Sequence, residues 1–208
     1  FPDDLSLANY FLFDRLREGK GDKVALRFGD RAWTYTDVAD RSRALARALI
    51  DGGLAPEQRV YVVLPDTPAF AWSIFGILAA GGVLAMGNPI SPPDDLAYVL
   101  DYVRATVLIT TPEVAAALAP RLRDLPCLRA VLLAPNAATD DDPEAYCDPL
   151  PDVPFSASLS QAIKQGHKSA TALPQIRHDD PAIWLFTSGS TGRPKAAMHS
   201  HRDFAFNT

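Results

Sequence analysis

Five short aliphatic runs, at residues 59–64, 83–86, 107–110, 128–133 and 183–186, are separated by stretches with helical periodicity or with turn residues. Strands that alternate with helices of about 10–15 residues build βαβ units, and consecutive strands joined in this way run parallel. Apart from Arg59, Thr110 and Arg129 the runs are apolar rather than alternating, as expected of strands covered on both faces. The expected fold class is therefore α/β, with a mostly parallel sheet. At 208 residues, 48% hydrophobic and 22% charged, the chain can bury a sizeable core, which excludes a disordered or collagen-like polymer.

Local signals fill in the order of elements. Residues 5–17 read as a helix closed by Gly19, Gly21 and Asp22. Residues 24–28 and 32–35 read as two strands joined through Gly29-Asp30, a good hairpin turn. Thr36 is the expected N-cap of the next helix, which turns Val38, Leu45 and Leu49 to one side and Asp40, Arg43 and Arg47 to the other, and which Gly52-Gly53 end. Ser91-Pro92-Pro93-Asp94 has the form of a capping box, and Thr111-Pro112-Glu113 starts a further helix. Prolines at 135, 143, 149, 151 and 154 mark a surface loop, whose Asp140, Asp141 and Asp142 are expected to be solvated. Residues 158–165 read as a short helix.

Between Thr67 and Pro93 there is no charged side chain, a length sufficient to cross a bilayer. Gly76, Gly81, Gly82 and Gly87 interrupt it, and Asp66 and Asp94 flank it where Lys or Arg would anchor a span. A buried helix to about residue 80, stopped by Gly81-Gly82 and followed by a strand, fits better, so no membrane association is expected. The excess of 25 Asp+Glu over 20 Lys+Arg argues against nucleic-acid binding by charge. Two cysteines, Cys127 and Cys147, make neither a disulfide framework nor a complete structural zinc site, so a reducing, cytoplasmic setting is expected. The opening residues lack a basic segment followed by an apolar run, so no signal peptide is expected.

The segment that carries chemistry follows the last aliphatic run: Thr187-Ser188-Gly189-Ser190-Thr191-Gly192-Arg193-Pro194-Lys195. Glycines let successive backbone N–H groups converge on one concavity, hydroxyls add donors without bulk, and Lys195 supplies a mobile full charge. This combination suits a polyphosphate. It is not the G-x-x-x-x-G-K-[ST] loop, because Pro194 stands at the second glycine and Ala196 follows the lysine. Neither G-x-G-x-x-G nor G-x-S-x-G is present. His199 and His201 share a face if their segment is a strand, but no third metal ligand accompanies them, and no metal site is expected. His167 and His178, in polar stretches, are given no role.

The string resembles the phosphate-binding signature [ST]-S-G-[ST]-T-G-x-P-K of the adenylate-forming, AMP-binding superfamily, which includes acyl- and aryl-CoA ligases, peptide-synthetase adenylation domains and luciferases. Asp179-Asp180-Pro181-Ala182 resembles the family's lead-in, Thr34-Tyr35-Thr36-Asp37 its early helix start, and Gly81-Gly82 with Asn88-Pro89 its early order of elements. Residues 15–23, Leu64-Pro65-Asp66-Thr67 and His199-Ser200-His201 are similar to benzoate-CoA ligases and related aryl-CoA ligases such as anthranilate-CoA ligases. Ala196, where many members have glycine, is a departure that the fold should tolerate.

The resemblance implies an AMP-forming acid–CoA ligase that activates an aromatic carboxylic acid of the benzoate or aminobenzoate type, with ATP, Mg²⁺ and coenzyme A. Thr187, Ser188, Gly189, Ser190, Thr191, Gly192 and Lys195 would hold the ATP phosphates, and His201 would either lie near the acid or be a packed, hydrogen-bonded histidine. The chain would be the N-terminal portion of the AMP-binding domain, ending just after the loop. The catalytic lysine, hinge and acid pocket would lie in a remainder that follows, so these residues alone would be inactive. Loading of a carrier protein, as by a peptide-synthetase adenylation domain or an acyl-AMP ligase, is the alternative acceptor chemistry. A non-catalytic phosphate-binding module is the alternative of another class, and a homodimer is left open.

Overall fold

The computed structural model describes residues 2–137, 141–187 and 194–206. A π-helical turn at Asn9–Phe13 continues as α1 (Asp14–Arg17) and leads to an antiparallel hairpin, β1 (Val24–Phe28) and β2 (Arg31–Thr34). After α2 (Tyr35–Asp51) the chain alternates: β3 (Arg59–Val63), α3 (Pro68–Ala79), β4 (Val83–Met86), α4 (Pro93–Tyr102), β5 (Val107–Thr110), α5 (Pro112–Leu122) and β6 (Ala130–Leu133). Then come β7 (Ser156–Ser158), α6 (Leu159–Gly166), β8 (Pro181–Thr187), β9 (Lys195–Ser200) and α7 (His201–Phe206). The main sheet has the order β7-β6-β5-β3-β4-β8-β9, parallel except for β9, which pairs antiparallel with β8 at one edge. The expected mostly parallel α/β architecture is what the chain adopts.

The side-chain alternation of the strands divides the interior in two. Val60 and Val62 of β3, Val107 and Ile109 of β5 and Leu132 of β6 join α2, α3 and α6 in one core. Their neighbours Tyr61, Val63, Leu108, Val131 and Leu133 join α4 and α5 in the other. Both faces are therefore apolar, which is why these strands read as unbroken aliphatic runs. The uncharged stretch is explained in the same way. Trp72, Ser73 and Ile77 of α3 are buried, and Gly76 lets Leu45 of α2 come into contact with the helix backbone. Gly81, at φ 76°, makes the turn into β4. Among the described residues no helix is long and apolar enough to cross a membrane.

Three local expectations need correction. The N-cap of α2 is Thr34, not Thr36. Its hydroxyl accepts from the Asp37 N–H at 3.1 Å, and the Asp37 carboxylate accepts from the Thr34 N–H at 2.8 Å, a full capping box. Strand β2 runs straight to that residue, so the helix starts two positions early. Ser91 does not cap α4; Pro92 occupies the N-cap without a side-chain hydrogen bond. Asp142 is not simply solvated. It pairs with Arg31 at 2.9 Å, while Glu144 pairs with Arg41 at 2.8 Å and accepts from the Trp33 indole N–H at 3.2 Å. The proline-rich loop is thus clasped to the hairpin and to α2.

Candidate active site

In a parallel sheet wound in both directions, ligands bind outside the carboxyl ends of the strands, near the point where the winding reverses. Here it reverses at β3, which has β4 on one side and β5 on the other. Strand β8 lies beside β4 and is parallel to it, so Thr187, its last residue, stands at this carboxyl edge. Antiparallel pairing with β9 sets Thr187 opposite Lys195, then Phe186 opposite Ala196 and Leu185 opposite Ala197. The base of the loop is therefore closed by a cross-strand pair, and Lys195, exposed, stands at its mouth. Ser188, Gly189, Ser190, Thr191 and Gly192 lie outside the described residues.

Ala196 sits within the ladder, where a Cβ is ordinary. Its departure from glycine is accommodated by a regular strand.

Aromatic side chains flank this edge. Tyr102 meets Phe186 edge-on at 6.3 Å and stacks on Tyr98 at 5.8 Å. The Tyr61 ring lies against Gly87, just after β4, so that any side chain there would collide with its hydroxyl. Burial pushes the Tyr61 phenol above the usual tyrosine range, so it remains neutral. Sequence reasoning missed this group. Tyr98 and Tyr102 have the i, i+4 spacing of any helix face, and nothing local announces Phe186 as their partner.

The histidines separate. His199 pairs with Ile183 in the ladder, but His201 is the first residue of α7, so the two do not share a strand face. Pro181 pairs with Ser200, which puts His201 at the amino end of β8, the length of a seven-residue strand from the loop and so about 20 Å away. It is 1% exposed, and its Nδ1 accepts from the Leu7 N–H at 3.1 Å. Burial pushes its pKa down to about 4, against the smaller upward pull of Asp180. Of the two expectations for His201, the packed and hydrogen-bonded one describes this geometry. His199 lies edge-on to Phe204 at 5.3 Å and 4.0 Å from Asp203. His178 contacts Asp179 at 3.0 Å, and His167 is exposed. Among the described residues no group of three His, Cys, Asp or Glu is placed to hold a metal.

The model of the family described as "AMP-binding enzyme" matches residues 13–208. The chain is 28% identical, over 198 residues, to the 4-hydroxybenzoate–CoA/benzoate–CoA ligase of Rhodopseudomonas palustris, covering 95% of this chain and 34% of that protein. It is 27% identical, over 184 residues, to a dimodular nonribosomal peptide synthase of Bacillus subtilis, covering 88% of this chain and 7% of that protein. In structure it superposes on the anthranilate CoA ligase AuaEII, crystallised with anthranoyl-AMP, with a TM-score of 0.85 at 23% identity, over 100% of this chain and 37% of that one. The chain thus spans about a third of the ligases it resembles. With the nine-residue signature in its sequence and the family model matched from residue 13 onward, the chain belongs to the AMP-binding enzyme family.

Proposed function

We propose that this chain is part of an ATP-dependent ligase that activates an aromatic carboxylic acid, of the benzoate or aminobenzoate class, and passes the acyl group to coenzyme A. The observation that carries the proposal is the complete signature at 187–195, at the carboxyl edge and with its ends tied by the Thr187–Lys195 pair. Names of relatives that act on benzoate and hydroxybenzoate support the acid class. On this proposal the chain is the N-terminal portion of the AMP-binding domain and works in the cytoplasm.

In the proposed reaction an oxygen of the acid attacks the α-phosphorus of ATP, the bond to pyrophosphate breaks, and an acyl-adenylate forms. The sulfur of coenzyme A then attacks the acyl carbon and AMP departs, the thiol proton passing to solvent. Phosphoryl transfer is mostly positioning and charge neutralisation. Backbone N–H groups of Gly189 and Gly192, hydroxyls of Thr187, Ser188, Ser190 and Thr191, and the ammonium of Lys195 would hold the β- and γ-phosphates and steady the pyrophosphate as it leaves. Mg²⁺ would arrive on the phosphate oxygens and neutralise their charge, and no residue of this chain is assigned to hold it.

Pyrophosphate release from a panel of aromatic acids with ATP tests the proposal. Lys195→Ala should reduce kcat/KM for ATP by one to two orders of magnitude, about 1.4–2.7 kcal/mol. Gly189→Val should reduce it further by filling the anion cradle. Unchanged kinetics in both variants would reject the loop assignment. Similarity to the peptide synthase favours a second acceptor, a carrier-protein thiol. A CoA thioester released into solution supports the first acceptor, and acyl transfer only to a carrier protein supports the second.

A further inference from the structure

Strand β7 ends the main sheet at the edge opposite β9. Just before it in the chain, residues 150–153 form a groove of about 480 Å³ with α5. Its apolar lining is Ala116, Ala119, Pro120, Leu150, Pro151 and Val153. The loop wall is tied down locally. Leu150 donates its N–H to the Ser156 hydroxyl at 3.0 Å, and its carbonyl accepts from that hydroxyl at 3.2 Å and from the Val153 N–H at 3.0 Å. A wall fixed in advance loses little entropy when a partner arrives.

Two charged side chains line the same groove, Arg123 at the end of α5 and Asp152 in the loop. Both are exposed, and neither has an ion-pair partner among the described residues. The two charges cancel in sum, so the lining favours neither a simple anion nor a simple cation. It suits a partner with one charge of each sign and an apolar group to fill the space between α5 and the loop. A second copy of this chain carries all three. Phe155, two residues past Val153, is 66% exposed on a backbone at φ 56°, a strained conformation for an aromatic residue. Its carbonyl accepts from the Val131 N–H at 3.0 Å, so the sheet holds the residue there.

We propose that this groove is the interface of a symmetric homodimer. The Phe155 ring of each copy enters the groove of the other, and Arg123 of each copy meets Asp152 of the other. A two-fold axis makes every such contact occur twice, which is how one unpaired cation and one unpaired anion on a single surface both find partners.

Sedimentation velocity of the whole enzyme, from about 1 to about 100 µM, tests the proposal, and a dimer should form within that range. Arg123→Glu and Asp152→Arg, at exposed positions where folding is not at stake, should each weaken association about 3- to 10-fold, because each sets like charges together twice. The double variant Arg123→Glu/Asp152→Arg should restore association to near the native value, since the exchanged charges pair again. Phe155→Gly removes the ring where the backbone suits glycine, so it should weaken association about 10-fold or more without lowering the thermal midpoint. A monomer at about 100 µM would overturn the proposal. So would a dimer indifferent to these substitutions, or one that the double variant does not restore.

Discussion

The imidazole of His201 shows how a single side chain can be read in two ways from sequence and in one way from its surroundings. Nδ1 accepts from the Leu7 N–H, so the ring is neutral with its proton on Nε2, and it joins α7 to the N-terminal segment. Its folded-state pKa of about 4 lies below the unfolded value of 6.5. Between those values the unfolded chain binds more protons, so stability is complete above about pH 6.5 and is lost as the pH falls toward 4. From pH 7 to pH 5 the contribution lost is roughly 2 kcal/mol. Urea titrations at the two pH values should show that loss in the native protein and a smaller one in His201→Gln. Equal losses in both would mean that other groups govern acid stability.

Among the elements, periodicity and turn chemistry made most of the sheet legible. β3, β4, β5, β6 and β8 were visible because burial on both faces demands unbroken aliphatic runs. β7 was not, since Ser156–Ser158 carries neither aliphatic residues nor alternation and owes its pairing to β6 alone. β9 was left undecided for a related reason. Lys195–Ser200 is a polar edge strand whose partner, β8, sets its conformation. The signature at 187–195 stood out in the sequence because residue types at fixed spacing mark it, and of its residues the structure describes Thr187, Pro194 and Lys195. The aromatic flank and the clasp of Glu144 on Arg41 and Trp33 join positions more than a hundred residues apart, or on separate elements, and no local pattern encodes them. The misplaced cap of α2 makes a sharper point. Both Thr34 and Thr36 can cap, and only the end of β2 selects Thr34. Thr34→Ala should therefore cost about 1 kcal/mol in chemical denaturation. Thr36→Ala should cost clearly less, and the reverse order would restore the original expectation.

At the scale of the whole molecule, α2 holds the hairpin, α3, α6 and the proline-rich loop together. Gly166 ends α6 at its contact with α2, and a Cβ there would be driven into the Ala44 carbonyl. Gly166→Ala should destabilise the protein by about 3 kcal/mol or more, because backbone rather than a pliable side chain must yield. A thermal midpoint within a degree of the native one would mean that the helices separate without penalty.

Strand β8 fills the place beside β4, yet its partner residues Leu84 and Ile183 are 99 positions apart in the chain. During synthesis, β3 through β7 can pair as soon as they emerge, whereas the second edge of β4 must wait until β8 (Pro181–Thr187) has been made. Until then its row of backbone donors and acceptors, bordered by buried Val83, Leu84 and Ala85, is an open apolar edge able to recruit another chain. A nascent chain halted before residue 181 should associate, and one extended through residue 206 should associate less, as light scattering of released chains would show. Equal association would mean that β4 is protected by other means. The hairpin that carries the 187–195 signature is then also the plug that makes the growing sheet safe, so the segment proposed to grip the phosphates and the cover over the edge of β4 arrive in one event.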